Sequence, residues 1–254
     1  MKDFTLDAYR LYLEAIKTAY EPILRFDEYF RLPRKPVSFA LIRHDIDRRP
    51  LKALRMAQLE NQMGIRSSYY FRVKPHVFKP SIIRAIQRLG HEIGYHYETL
   101  SDARGDHLLA MQQFGRHLKR LRSIANIHTI CMHGRPFSPH NNLDLCRNTE
   151  TRSKICTAQK ILCELYLDID YDDMAYLCDT GRKWDQHLAI IRDRVNSHVA
   201  VSLKLGKELL QALLDKLWIL FVFQVHPELW SENEAEFFAQ YVIDAWINLG
   251  KKLL

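Results

Sequence analysis

The chain has 254 residues, 47% hydrophobic and 26% charged, which suits one large globular domain with a sizeable core. Its formal charge of +7 favours anionic partners: nucleic acid, phosphorylated or nucleotide-linked sugars, or an acidic membrane surface, and among substrates a nucleotide- or lipid-linked precursor. The basic residues are scattered, the densest group being Arg31, Arg34 and Lys35, and lack interleaved aromatics, which argues against nucleic acid.

Leu6, Tyr9, Leu13, Ile16 and Tyr20 recur at three- and four-residue spacing, which predicts an amphipathic opening helix capped by Thr5. A strand-like run over 37–43 then ends in His44-Asp45-Ile46-Asp47. Side chains alternate along a strand, so Asp45 and Asp47 share a face and His44 opposes them. Two carboxylates that close repel unless a cation or a shared proton relieves them. The plainer reading is a loop that caps a helix starting at Pro50. Residues 50–63 read as that helix, closed by Gly64, and the aromatic run 67–73 as a strand. A helix over 81–89 closed by Gly90, a strand over 91–96, a helix over 107–124 and a strand over 127–132 follow. Runs at 162–169 and 217–225 are later strand candidates. Such alternation predicts right-handed βαβ units around a parallel sheet, closing into a barrel or part of one. No linker or repeat divides the chain, so residues 1–254 read as one domain, with a helical extension over 1–36 and a C-terminal helix over 231–254.

In such folds ligands sit at the carboxyl ends of the strands. Asp45 and Asp47, His96, His133 and His226 fall at four predicted strand ends. A lone histidine is usually structural, and His44, His91, His128 and His140 are read so. The set on one rim reads as a metal-hydrolase site. The acidic run containing Asp168, Asp170, Asp172 and Asp173 lacks a calcium-loop pattern and reads as a solvated turn, with Asp170 a candidate to support the site. Cys131, Cys146, Cys156, Cys163 and Cys178 have no Cys-x-x-Cys spacing and point to reduced thiols in a reducing compartment. Acids interrupt residues 1–12, unlike a signal peptide, and the longest apolar run, 217–223, falls far short of the about 20 residues that span a bilayer. The expectation is a cytoplasmic protein without a transmembrane segment.

Five blocks stand in order: Arg43-His44-Asp45-Ile46-Asp47, Gly90-His91-Glu92-Ile93-Gly94 leading to Tyr95-His96-Tyr97-Glu98, Met132-His133-Gly134-Arg135-Pro136-Phe137-Ser138, Asp179-Thr180-Gly181-Arg182-Lys183-Trp184, and Gln224-Val225-His226-Pro227-Glu228. Together they resemble the motifs of the polysaccharide deacetylase superfamily, the NodB-homology carbohydrate esterases. The resemblance runs from Phe4 to about Trp230 and is nearest an intracellular branch whose first motif reads Arg-His-Asp-hydrophobic-Asp. It implies a distorted, incomplete (β/α) barrel with about seven strands and metal-assisted amide hydrolysis, most often with zinc. Carried over residue by residue, it implies Asp45 as general base, Asp47 and His96 as metal ligands and His226 as general acid. It further suggests Arg135, Arg182 and Trp184 as substrate-binding residues, with Arg135 orienting Asp45 or holding an anion and Trp184 offering a flat face to a sugar ring; a surface arginine and a core tryptophan are the plainer alternatives.

The chain departs from the family pattern twice. Ile46 separates aspartates that are usually adjacent, which leaves the division of base and ligand between Asp45 and Asp47 open. Leu100 stands where a second histidine would follow His96. Catalytic zinc normally has three protein ligands, so the third must come from elsewhere: His133 is preferred and Glu98 is the alternative. The expected activity is removal of an acetyl group from an N-acetylated sugar or sugar-containing precursor. Hydrolysis of another small amide, such as deformylation, and a metal-free barrel serving as a binding scaffold are the competing readings.

Overall fold

The structure, a computed structural model, describes residues 2–182, 184, 192 and 194–252. Helix α1 (Leu6–Ala19) begins where the Thr5 side chain accepts from the Ala8 amide at 3.2 Å. Strand β1 (Ile23–Leu24) and helix α2 (Phe26–Arg31) lead into the eight-residue strand β2 (Phe39–Ile46), buried throughout. Helix α3 (Pro50–Gln62), strand β3 (Ser68–Phe71), helix α4 (Pro80–Arg88) and strand β4 (Glu92–Tyr97) continue the alternation. Next come α5 (Thr99–Asp102), α6 (His107–Arg122), β5 (Ile127–Met132), α7 (Asp144–Arg147), α8 (Thr149–Gln159) and β6 (Cys163–Glu164). The chain ends with β7 (Met174–Cys178), α9 (Gly206–Leu214), β8 (Leu220–Val225), a 3-10 turn at Pro227–Leu229, and α10 (Glu234–Lys252).

Every strand pair is parallel, and the curled sheet runs β6-β5-β4-β3-β2-β8-β7. Strand β1 lies beside the start of β2, on the edge that β3 takes over at Arg43. This is the incomplete (β/α) barrel that the sequence leads one to expect. The inner face packs Phe39, Leu41, Tyr70, Cys131, Tyr176 and Val222 into one cluster. The outer face carries two clusters under the helices, one around Ile46, Tyr95 and Phe114, the other around Ile42, Phe223 and Trp230. Gly94 has no side chain because the Tyr70 ring occupies the space; a Cβ there would lie 2.2 Å from it.

Several elements, helices α8 and α9 among them, have no counterpart in the expectation, and others differ from it. The candidate strand at 162–169 shrinks to β6, because Glu164 turns the chain by accepting the Tyr166 and Leu167 amides while Asp168 accepts the Glu164 amide. The five apolar residues of β7 follow the acidic turn and form a strand that the sequence reading lacks. The C-terminal helix starts at Glu234, and residues 253 and 254 of the expected span lie outside the described residues. Among the described residues no helix is long and apolar enough to cross a membrane.

Candidate metal centre

Strand β2 delivers the first part of the site by alternation. Arg43 and Asp45 face the barrel interior, and His44 turns outward to stack on Tyr69 with ring centroids 4.1 Å apart. Asp45 is 1% exposed. Its Oδ2 accepts from Arg43 Nη2 at 2.9 Å and from Gln224 Nε2 at 2.7 Å. Its Oδ1 is buried with no hydrogen-bond partner. Burial works to raise the Asp45 pKa, but Arg43, His96 and His226 together outweigh it and keep the group below the usual carboxylate range.

Asp47 follows at the open end of β2. Its Oδ2 lies 3.2 Å from His133 Nε2 and its Oδ1 lies 3.5 Å from His96 Nε2. That Oδ1 is also buried without a hydrogen-bond partner. Burial opposes ionisation here too, yet His133 first and His96 next hold Asp47 well below its ordinary value. His96, on β4, sits 3.0 Å through Nδ1 from the Cys131 carbonyl oxygen. A carbonyl can only accept, so Nδ1 carries the proton and the Nε2 lone pair faces Asp47 and Asp45. Burial lowers its pKa, which favours the neutral, ligating form. His133 follows β5, where its backbone amide donates to the Tyr97 carbonyl at 2.8 Å. Its ring stands 5.1 Å from that of His96. Burial would lower its pKa, but Asp47 and Glu98 raise it to about 9.

One carboxylate oxygen of Asp47 and one nitrogen each from His96 and His133 lie within 4.8 Å of one another. A carboxylate and two imidazoles suit a divalent first-row ion. The orphaned oxygens of Asp47 and Asp45 fit such an ion, since buried acceptors are otherwise almost always paired. Groups formed by Asp45, His96 and Cys131, and by Cys178, Asp179 and His226, share the same spacing. In the latter, Asp179 is already engaged: it accepts the His226 amide at 2.8 Å and the Trp230 indole at 2.7 Å, and its Oδ1 lies 2.6 Å from His226 Nδ1. Against burial, Asp179 pushes the His226 pKa up to about 10, and the charges of Asp47 and Asp45 add to it.

The structure thus brings Asp45, Asp47, His96, His133 and His226 to one rim, with Glu98 behind His133 at 3.3 Å. Two expected substrate residues, Trp184 and Arg182, lie elsewhere, and Arg135 makes other contacts than the one expected. Arg135 pairs with Asp102 at 2.7 Å, while the cation on Asp45 is Arg43. Trp184 is 1% exposed on the outer face of the sheet, stacked on Phe4 at 4.7 Å, and Arg182 lies over Phe4 and Phe237. Both therefore serve the packing of the chain ends, because the apolar outer face of β8 draws Trp184 away from the rim. Lys183 of that block lies outside the described residues. Asp170 accepts the Asp172 amide at 3.0 Å in a local turn and does not reach the site. Sequence reasoning missed Arg43, Gln224 and Asp179 as partners of the site. Their signal is alternation: Arg43 and Gln224 each stand two residues before Asp45 and His226, on the same face of their strands.

Nothing matches this chain among protein-family models or among curated proteins.

Proposed function

We propose that the chain is a metal-dependent amide hydrolase that removes an acetyl group from an N-acetylated sugar or sugar-containing precursor, with zinc as its metal and the cytoplasm as its setting. The observation that carries the reading is one rim holding three convergent ligand groups, a buried carboxylate with one unpartnered oxygen, and a histidine locked to an aspartate. The ordered motifs that resemble the polysaccharide deacetylases support it as well. Asp47, His96 and His133 would hold the ion, which when bound polarises the amide carbonyl and makes hydroxide accessible near neutral pH.

The chain's own residues divide the remaining work. Asp45 is kept ionised by Arg43, and its Oδ2 is fixed by two donors, so Oδ1 is the oxygen that takes the proton of the attacking water. His226 is held through Nδ1 by Asp179, which directs its Nε2 toward the leaving amine and supplies the proton there. Arg43, buried with Nε and Nη1 lacking hydrogen-bond partners, keeps a fixed positive charge beside the base. Competing readings separate on substrate. The zinc-loaded protein, given free and nucleotide-linked N-acetylhexosamines beside matched N-formyl amides, is expected to release acetate. Release of formate alone would favour the alternative amide hydrolase, and no release from any substrate by a metal-loaded protein would count against the hydrolase reading.

A further inference from the structure

We infer that Glu98 and Arg72 form a positioning pair that fixes two of the three metal-binding groups from behind and supplies no ligand itself. This rests on the metal reading above. Glu98 follows β4, and its side chain is 4% exposed. Its two oxygens accept from Arg72 Nε at 2.7 Å and Nη2 at 2.9 Å, a bidentate pair of the kind a guanidinium holds rigidly. The remaining terminal nitrogen, Arg72 Nη1, donates to the Asp47 backbone carbonyl at 3.2 Å. Arg72 therefore ties the end of β2 to Glu98. Glu98 Oε2 in turn lies 3.3 Å from His133 Nδ1, an ion-pair contact outside hydrogen-bond geometry, while the opposite ring nitrogen, Nε2, is hydrogen-bonded to Asp47 Oδ2 at 3.2 Å.

The two nitrogens of an imidazole point away from each other, so Glu98 sits on the far side of His133 from the shared ligand space. Both its oxygens are already committed to Arg72, with Lys74 Nζ at 3.5 Å and Arg135 Nη1 at 3.7 Å as further cations. With an ion in the ligand space, a carboxylate in that place would favour the proton on the near nitrogen and the lone pair on the far one. The pair thus holds the Asp47 main chain and sets a fixed carboxylate behind His133 at once. The adjacent registers Ile46↔Phe71 and Phe71↔Tyr95 put Arg72 between Asp47 and His96, the place from which one arginine reaches the strand ends on both sides.

The test is zinc affinity by competition with a chromophoric chelator, together with the visible spectrum of the cobalt-substituted protein. It compares the wild type with Glu98→Ala, Glu98→Gln, Arg72→Lys and His133→Ala. Loss of such a supporting contact typically weakens metal binding about 10–100-fold, and that is the expected loss for Glu98→Ala and Arg72→Lys. Their cobalt spectra should keep the wild-type band positions and intensities, because the ligand set is unchanged. His133→Ala should lose more affinity and change the spectrum. Should circular dichroism show Glu98→Ala unfolded, the isosteric Glu98→Gln carries the test with a loss of several-fold. Unchanged affinity in the Glu98 and Arg72 variants would overturn the inference while leaving the metal reading intact. A Glu98→Ala spectrum altered as in His133→Ala would make Glu98 a ligand. A wild type that binds neither zinc nor cobalt overturns the metal reading and this inference together.

Discussion

Two clusters of buried carboxylate and imidazole lie back to back on β2. On the outer face Glu60 accepts from Ser67 Oγ at 2.5 Å, from Tyr69 at 2.9 Å and from Tyr9, and stands 3.0 Å from His44 Nε2. Both its oxygens are used. On the inner face Asp45 and Asp47 each keep a buried oxygen without a hydrogen-bond partner, with His96 and His133 beside them. The ingredients are alike and differ in saturation. A carboxylate whose acceptor positions are all filled ties a scaffold together; one that keeps an open position among imidazoles is arranged for something that arrives.

The sharpest contrast is in what each carboxylate does when made neutral. Asp45→Asn should abolish measurable turnover, a loss at or above the about 10⁴-fold upper range for a positioned proton-transfer group, with metal content near normal. Loss of metal along with activity would instead make Asp45 a ligand. His226→Ala should cost about 10²–10⁴-fold on an amide but spare much of the hydrolysis of a matched activated ester, whose leaving group needs no proton. Equal losses on both substrates would remove His226 from the role of acid.

Glu60→Ala should do the reverse of Asp45→Asn, leaving the metal site alone and costing stability. Removing one partner from such a buried network typically costs about 3–5 kcal/mol, measurable by denaturant unfolding. The network also fixes an acid dependence. Burial works against the Glu60 charge, but His44 first, with His91 and Ser67, outweighs it and holds the pKa down to about 2, below the ordinary 4.5. Its contribution is complete above pH 4.5 and is lost as the pH falls toward 2, on the order of 3 kcal/mol. Glu60→Gln should flatten that acid limb of the stability curve, and an unchanged limb would contradict the role. At the small end, Arg135 is 40% exposed on Asp102, so Arg135→Ala should change stability by at most about 1 kcal/mol and zinc affinity by less than about threefold. A loss of turnover matching that of Asp45→Asn would return Arg135 to the site.

Much of this arrangement is legible in the sequence, because period-two alternation assigns faces and parallel strands share one functional end. That logic picks out Asp45 and Asp47 on one face, and His96, His133 and His226 at neighbouring ends. It does not say which face is the interior, and so Trp184 and Arg182 read as rim residues while the structure packs them against Phe4 on the outer side. Pairings across the barrel are invisible to local pattern. Gln224 reaches Asp45 from 179 positions away, and Asp179 reaches His226 from 47 away. Strand β7 escapes notice because five residues behind an acidic turn give too short a period to count. Arg72 stands next to the aromatic residues of β3 and shows its importance only once three of its nitrogens are seen bonded to Glu98 and the Asp47 carbonyl.

Asp47, His96 and His133 are together expected to hold a divalent ion. Equilibrium dialysis against zinc followed by elemental analysis tests it most directly, on the wild type and on Asp47→Ala, His96→Ala, His133→Ala and the outer-face control Glu60→Gln. About one zinc is expected per wild-type and Glu60→Gln chain, with retention lost in each of the three site variants while circular dichroism shows them folded. A wild type that stays metal-free, or site variants that retain zinc as the wild type does, would contradict it.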